Sequence, residues 1–234
     1  MYSFESRVRY SEVDHNKYMD LSSIINYFQD CSMFQSEDLS VGLDYLESKK
    51  RVWMLSSWQI IVNRRPVLGE NITIGTWAYG FKGMYGYRNF VIKDQHGQVV
   101  AAANSIWIYM DTVTLRPTRV FPEDVKAYGT EPRYEMEYAD RKILVPDNLE
   151  EKDPFTVVKS NIDTNQHVNN GQYVKMAEEY LPESFQIRQM RADYKKSALL
   201  GDTIIPHVSL SDTKCTVILS DAANTPYAII EFTA

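Results

Sequence analysis

Asp163, Asn165 and His167 stand at alternate positions in the string SNIDTNQHVNN that runs from Ser160 to Asn170. In an extended segment alternate side chains project to one side, so a carboxylate, a carboxamide and an imidazole would share a face just ahead of a helix. An imidazole with an unperturbed pKa near ~6.5 can take a proton from water at neutral pH, a task worth roughly 10² to 10⁴ in rate. Asp163 could orient that imidazole or act itself as base or nucleophile, and Asn165 could hold a substrate carbonyl or the attacking water. Backbone N–H groups of Val168 and Asn169, aided by the dipole of the following helix, would suit a developing negative oxygen. Asp and Asn before a helix are also ordinary capping residues, so the string alone leaves a structural reading open.

A repeat supplies the frame for this string. The segment from Ser11, SEVDHNKYMDLSSIINYF, lies over SNIDTNQHVNNGQYVKMA from Ser160, matching Ser11 to Ser160, Asp14 to Asp163 and Asn16 to Asn165. Tyr18 stands where the second copy has His167. Further on, NRRPVLGENITI resembles YKKSALLGDTII: a basic pair, a small interval, then Leu-Gly-acid and β-branched residues. Two matches in the same order imply an internal duplication, with the turn shared and the proton chemistry confined to the second copy.

Each copy gives the same element order. In the first, residues 2–13 read as a strand, and Leu21, Ile24, Ile25 and Phe28 fall on one apolar helical face. Strands follow at 52–63, 71–79, 85–93 and 99–110, separated by turn signals such as Leu68-Gly69-Glu70. The second copy reads as a strand at 155–162, a helix at 171–180 stopped near Pro182, and strands at 185–194, 202–211, 214–219 and 227–233. Residues 121–152 are rich in Pro and charge and read as a linker between halves 1–120 and 153–234. The predicted fold is α+β, a tandem (double) hot-dog in which each half is an antiparallel sheet wrapped around one long helix. The second half has only about 82 residues, a size whose core is marginal alone, so neither half is expected to fold well by itself.

Composition narrows the function. With 44% hydrophobic and 24% charged residues the chain can build a packed core, and no run approaches the roughly 18 apolar residues of a membrane span. The N-terminal MYSFESRVRYSEVD has no signal-peptide core, so a cytoplasmic protein is expected. A formal charge of −6 argues against general nucleic-acid binding. Cys31 and Cys215 have no metal or redox spacing and read as reduced and structural, and no cofactor or metal is expected.

The string DTNQHVNNGQYV resembles the D-x-N-x-H-V-N-N-x-x-Y signature of acyl-acyl-carrier-protein thioesterases, and LSSIINYFQD is similar to that family's first helix. The resemblance covers most of the chain and implies an enzyme releasing free fatty acid from acyl carrier protein, with Asp163, Asn165 and His167 in the catalytic site. Two such units placed sheet to sheet would cover strand edges that a lone unit leaves open, so a pseudo-dimeric monomer or a homodimer is expected. Plant members carry a Tyr-Arg-Arg-Glu-Cys-like stretch, where this chain has Tyr194-Lys195-Lys196-Ser197-Ala198. With Ser197 at the acidic position, attack by water supported by Asp163 and His167 is the simpler account. Plant members begin with a plastid transit peptide, and its absence from this sequence favours a bacterial-type enzyme.

Acyl carrier protein, with its phosphopantetheine-linked acyl chain, is acidic as a family and needs a basic face. Arg188, Arg191, Lys195 and Lys196 are the cluster expected to supply it, and Met33, Phe34, Trp53, Met54 and Trp58 are expected to wall the acyl pocket. Three rivals stay open: an acyl-CoA thioesterase, a hot-dog hydratase or dehydratase, and a non-catalytic acyl-binding module.

Overall fold

The spacing of Leu21, Ile24, Ile25 and Phe28 produces one face of a helix because residues three and four apart stack on the same side. In the computed structural model, which describes residues 1–163 and 165–234, that face is buried: these four residues are at most 3% exposed. At roughly 1.5–3 kcal/mol for each fully buried large side chain, this stripe outweighs helix propensity in fixing the element. Asp20 caps it, accepting the Ser23 N–H at 2.6 Å.

The described residues divide into two units, Met1–Ser56 with Ile60–Tyr138, and Ser57–Gln59 with Ala139–Ala234. In the first unit the chain runs β1 (Tyr2–Arg7), α1 (Leu21–Asp38), α2 (Leu43–Ser48), β2 (Arg51–Val62), β3 (Asn71–Lys82), β4 (Tyr85–Asp94), β5 (Val99–Asp111), β6 (Arg116–Pro117) and α3 (Pro122–Tyr128). Its strands lie in the order β1-β3-β4-β5-β2, and the pairs β1–β3, β3–β4 and β4–β5 are antiparallel. α1 packs on this sheet, with Phe28 5.2 Å from Phe90 between ring centroids.

The second unit runs β7 (Glu150–Glu151), β8 (Phe155–Thr156), α4 (Asn170–Glu178), β9 (Gln189–Tyr194), β10 (Thr203–Leu210), β11 (Lys214–Ser220) and β12 (Pro226–Thr233). Strand order is β9-β12-β11-β10-β7, all antiparallel, and β8 also pairs with β10. α4 carries buried Tyr173, Val174 and Ala177.

The first strand of each copy is shorter than its sequence reads. β1 ends at Arg7 and β8 at Thr156, and each is followed by a 3-10 turn, Tyr10–Glu12 and Lys159–Asn161. Residues 121–138, expected as linker, instead carry α3 and belong with the first unit. Asp124 of α3 is 1% exposed and accepts hydrogen bonds from Tyr45 and Tyr109. Beyond α3 the Trp77 indole donates to the Pro132 carbonyl at 2.9 Å, and Asn89 Oδ1 accepts from the Tyr134 N–H and the Tyr138 hydroxyl. In the second unit Ile143 is buried against Ile218 and Ile229. Side-chain hooks that no periodicity reveals therefore hold this stretch down.

The duplication is legible bond by bond. Val8 N–H donates to the Glu70 carbonyl and Val157 N–H to that of Asp202, both at 2.9 Å. Gly69 returns a bond to Val8 and Gly201 to Val157, and both glycines hold φ near the left-handed region, 81° and 87°, that a Cβ disfavours. Asn63 and Arg64 share the Val100 carbonyl as Lys195 and Lys196 share that of Tyr227. Asp94 Oδ1 accepts the His96 and Gln98 amides, and Asp221 Oδ1 accepts those of Ala223 and Thr225.

Candidate active site

Asp163 and His167 pair across a hairpin neck and do not lie in the extended run their alternation suggests. Asp163 N–H donates to the His167 carbonyl at 2.8 Å, Gln166 N–H donates to the Asp163 carbonyl at 3.1 Å, and the Ile162–Val168 bridge forms the neck. The short Asp163 side chain bends the chain by accepting the Asn165 N–H at 2.8 Å, an Asx turn. Gln166 closes the loop at φ 63°, a left-handed conformation uncommon outside glycine. Asp163 and His167 thus stand opposite one another, the register in which facing residues share one side of an antiparallel pair. Asn165 is left at the exposed tip, and Thr164 lies outside the described residues.

The first copy folds the same turn. Asp14 N–H donates to Tyr18 at 2.8 Å, Lys17 N–H to Asp14 at 2.9 Å, and Lys17 holds φ 65°. There Asp14 Oδ1 accepts the Asn16 and Tyr18 amides, while Oδ2 pairs with Arg65 at 2.9 Å. Met19 N–H bonds the Pro66 carbonyl as Val168 N–H bonds that of Ala198, which sets Arg65 opposite Ser197 in the repeat. Ser197 brings no cation, so among the described residues no hydrogen bond or ion pair engages Asp163 Oδ2 or the His167 ring. One carboxylate is locked by a guanidinium, and the other has no such partner among the described residues.

The expected oxyanion donors need correction. The Val168 amide is engaged by the Ala198 carbonyl at 3.0 Å, and the Asn169 amide by the Asn161 carbonyl at 2.9 Å. A hairpin feeding a helix must satisfy its own neck first. Asn169 caps α4 through its side chain, accepting the Gly171 N–H at 2.8 Å. Among the described residues, the amides of His167 and Asn170 are the ones at this turn without an acceptor.

Two tyrosines missed by the spacing argument underlie the turn. Tyr173 of α4, 2% exposed, accepts the Ala198 N–H at 2.7 Å, and the Tyr194 hydroxyl donates to the Asn170 carbonyl at 3.0 Å. Burial pushes the Tyr173 phenol up to about 12 and raises that of Tyr194, so both stay protonated at neutral pH. The final Tyr of the motif string was the signal available for Tyr173.

The basic cluster is matched internally. Lys195 pairs with buried Asp193 at 2.5 Å, Arg191 with Glu231 at 2.9 Å, and Lys196 with Asp221. The Lys196–Asp221 pair repeats Arg64–Asp94 of the first copy, so it secures the β11–β12 turn. Arg188 donates its backbone N–H to Thr233.

The five residues expected to wall an acyl pocket differ in exposure. Met33, Phe34 and Met54 are 40%, 46% and 42% exposed, and neighbours Trp53 and Met54 project to opposite faces of β2. Trp53 packs on Tyr109 at 4.6 Å, and Trp58 is 2% exposed. Beside α1 lies Arg88, buried, donating to Gln35 and to Thr76 Oγ1 with its guanidinium over the Tyr128 ring. No pattern in the sequence marks Arg88 as interior.

Two units, each with antiparallel strands and a helix preceded by the same polar turn, define a tandem hot-dog protein. The acyl-ACP thioesterase N-terminal domain matches residues 1–128 and the acyl-ACP thioesterase C-terminal domain residues 146–231, so the chain belongs to the acyl-ACP thioesterase family. A chloroplastic acyl-[acyl-carrier-protein] hydrolase of Cuphea viscosissima is 26% identical over 187 residues, 71% of this chain and 44% of its own. The chain spans about half the length of the curated plant relatives it matches. An acyl-ACP thioesterase from Bacteroides thetaiotaomicron superposes with a TM-score of 0.90 at 20% identity, covering 99% of this chain and 96% of that one. The 12:0-ACP thioesterase from Umbellularia californica gives 0.86 at 17% identity over 100% and 97%. At such identities these structures establish the fold.

Proposed function

We propose that this chain hydrolyses fatty acyl thioesters of acyl carrier protein to free fatty acid and holo carrier protein, in fatty acid biosynthesis. The observation that carries the reading is the asymmetry of the two turns: Asp14 is closed by Arg65, whereas Asp163 stands opposite His167 with no ion pair on Oδ2 among the described residues. Asp163 and His167 take a proton from water as its oxygen bonds the acyl carbon. The oxyanion so formed is met by N–H groups at the turn, those of His167 and Asn170 being available. Collapse breaks the C–S bond, and the proton returns to the departing thiolate. Asn165, exposed in the same turn, meets the substrate carbonyl or the water in this reading.

Family membership supports the carrier-bound substrate. Lys195 and Lys196 are 40% and 38% exposed, so each can meet an acidic carrier only in addition to its ion pair. No helix of the described residues is long and apolar enough to cross a membrane. The test is thiol release from acyl carrier protein and from acyl-CoA, with His167→Ala and Asp163→Asn as variants. Both should abolish release with far-UV dichroism unchanged. Hydration without thiol release would make the chain a hydratase, and binding without either would make it an acyl-binding module.

A further inference from the structure

Three aligned positions differ together between the copies in a way that geometry explains. Tyr173, the fourth residue of α4, corresponds to Ile24, the fourth of α1, and Ala198 corresponds to Pro66. The Ala198 N–H is a donor that needs an acceptor once buried, and Tyr173 supplies it at 2.7 Å. Proline has no N–H, so the first copy needs no hydroxyl there and has the aliphatic Ile24. The third position is Ser197 against Arg65.

From Tyr173 the bonds lead to the imidazole. Tyr173 holds the Ala198 amide; the Ala198 carbonyl accepts the Val168 N–H at 3.0 Å; and Val168 follows His167 and pairs with Ile162 at the neck. In the first copy Arg65 ties this corner down directly, its Nε donating to the Met19 carbonyl at 2.6 Å. The second copy has Ser197 in place of that arginine, which leaves Asp163 Oδ2 without an ion pair among the described residues and also removes the tie. We propose that Tyr173 is a positioning residue for the hydrolytic turn: its hydroxyl holds the Ser197–Ala198 segment and, through Val168, fixes where His167 stands opposite Asp163. The inference rests on the proposed hydrolysis at Asp163 and His167.

The experiment compares Tyr173→Phe, Ala198→Pro and the double variant in the full chain, by thiol release and by amide hydrogen exchange. Tyr173→Phe leaves a buried N–H without an acceptor; kcat should fall about tenfold with KM unchanged, and the Ala198 and Val168 amides should exchange about tenfold faster. Ala198→Pro removes the donor, as Pro66 does naturally, so adding Tyr173→Phe to it should cost no further turnover. Wild-type kcat in Tyr173→Phe overturns the proposal, and so does an equal loss in both backgrounds, which would put the phenol in direct contact with substrate. If the unmodified chain released no thiol, the hydrolytic reading would fail separately. The exchange rates would then decide whether Tyr173 holds the turn, unchanged protection of Val168 overturning it.

Discussion

Ser197→Arg rebuilds in the second copy the lock seen in the first. Arg65 reaches Asp14 Oδ2 at 2.9 Å and the Met19 carbonyl at 2.6 Å, and the aligned targets are Asp163 Oδ2 and the Val168 carbonyl. The Arg65 and Asp14 side chains are 36% and 25% exposed, so solvent screens the pair and its effect on stability should be at most about 1 kcal/mol. Its effect on chemistry should be far larger, because a guanidinium on Asp163 removes the carboxylate from the proposed proton transfer. General-base catalysis is worth roughly 10² to 10⁴, or about 2.7–5.4 kcal/mol of barrier. The expected result is a loss of two to four orders of magnitude in kcat, with thermal unfolding within a few degrees of the parent. Thiol release from a medium-chain acyl thioester measures the first and a melting curve the second, with Ser197→Ala as a control that should retain turnover. A Ser197→Arg protein that turned over normally, with the new ion pair visible in its structure, would refute the role given to Asp163.

Lys196→Ala and Arg64→Ala should each lower stability by loosening an equivalent turn, read as a fall in the urea midpoint. If Lys196 also meets the carrier, its loss should weaken use of acyl carrier protein more than of small thioesters, and less so at high salt. Hydrogen bonds from Arg64 hold the Glu70 carboxyl below the usual range, so its contribution is complete above that range and is lost as pH falls through its lowered value. Glu70→Gln should therefore flatten the acid limb of the stability curve. Burial pushes the Cys31 thiol up to about 12 and that of Cys215 to about 11, so alkylating reagents should label neither until the protein unfolds.

The period of the apolar residues announced α1, because burial of one face leaves a repeat in the sequence; the duplication announced α4, and β-rich runs bounded by turn signals announced the long strands. None of these announced α2 or α3, which are short and held by particular bonds, as Asp124 is by Tyr45 and Tyr109. At the site, residue types were readable and geometry was not. D-x-N-x-H reads as alternation, yet Asp163 turns the chain on itself with its own carboxylate, as Asp14 does. The Val168 and Asn169 amides looked available because their acceptors, Ala198 and Asn161, lie elsewhere in the sequence. The lysine cluster looked free for the same reason. Arg88 could not be found at all, since a guanidinium is ordinarily exposed and its partners Gln35 and Thr76 are neutral.

The bonds shared by the copies are mostly main chain to main chain, and such bonds tolerate most changes of side chain. In an assembly of identical subunits every substitution is made twice, so a residue that improves one site and damages another function must be judged on both. Fusion within one polypeptide ends that coupling. Arg65 can fasten one turn while Ser197 leaves the other open, and neither change is imposed on its counterpart. If hydrolysis takes place at Asp163 and His167 as proposed, drift in the first copy is constrained by folding alone at this corner, whereas the second copy answers to folding and chemistry together.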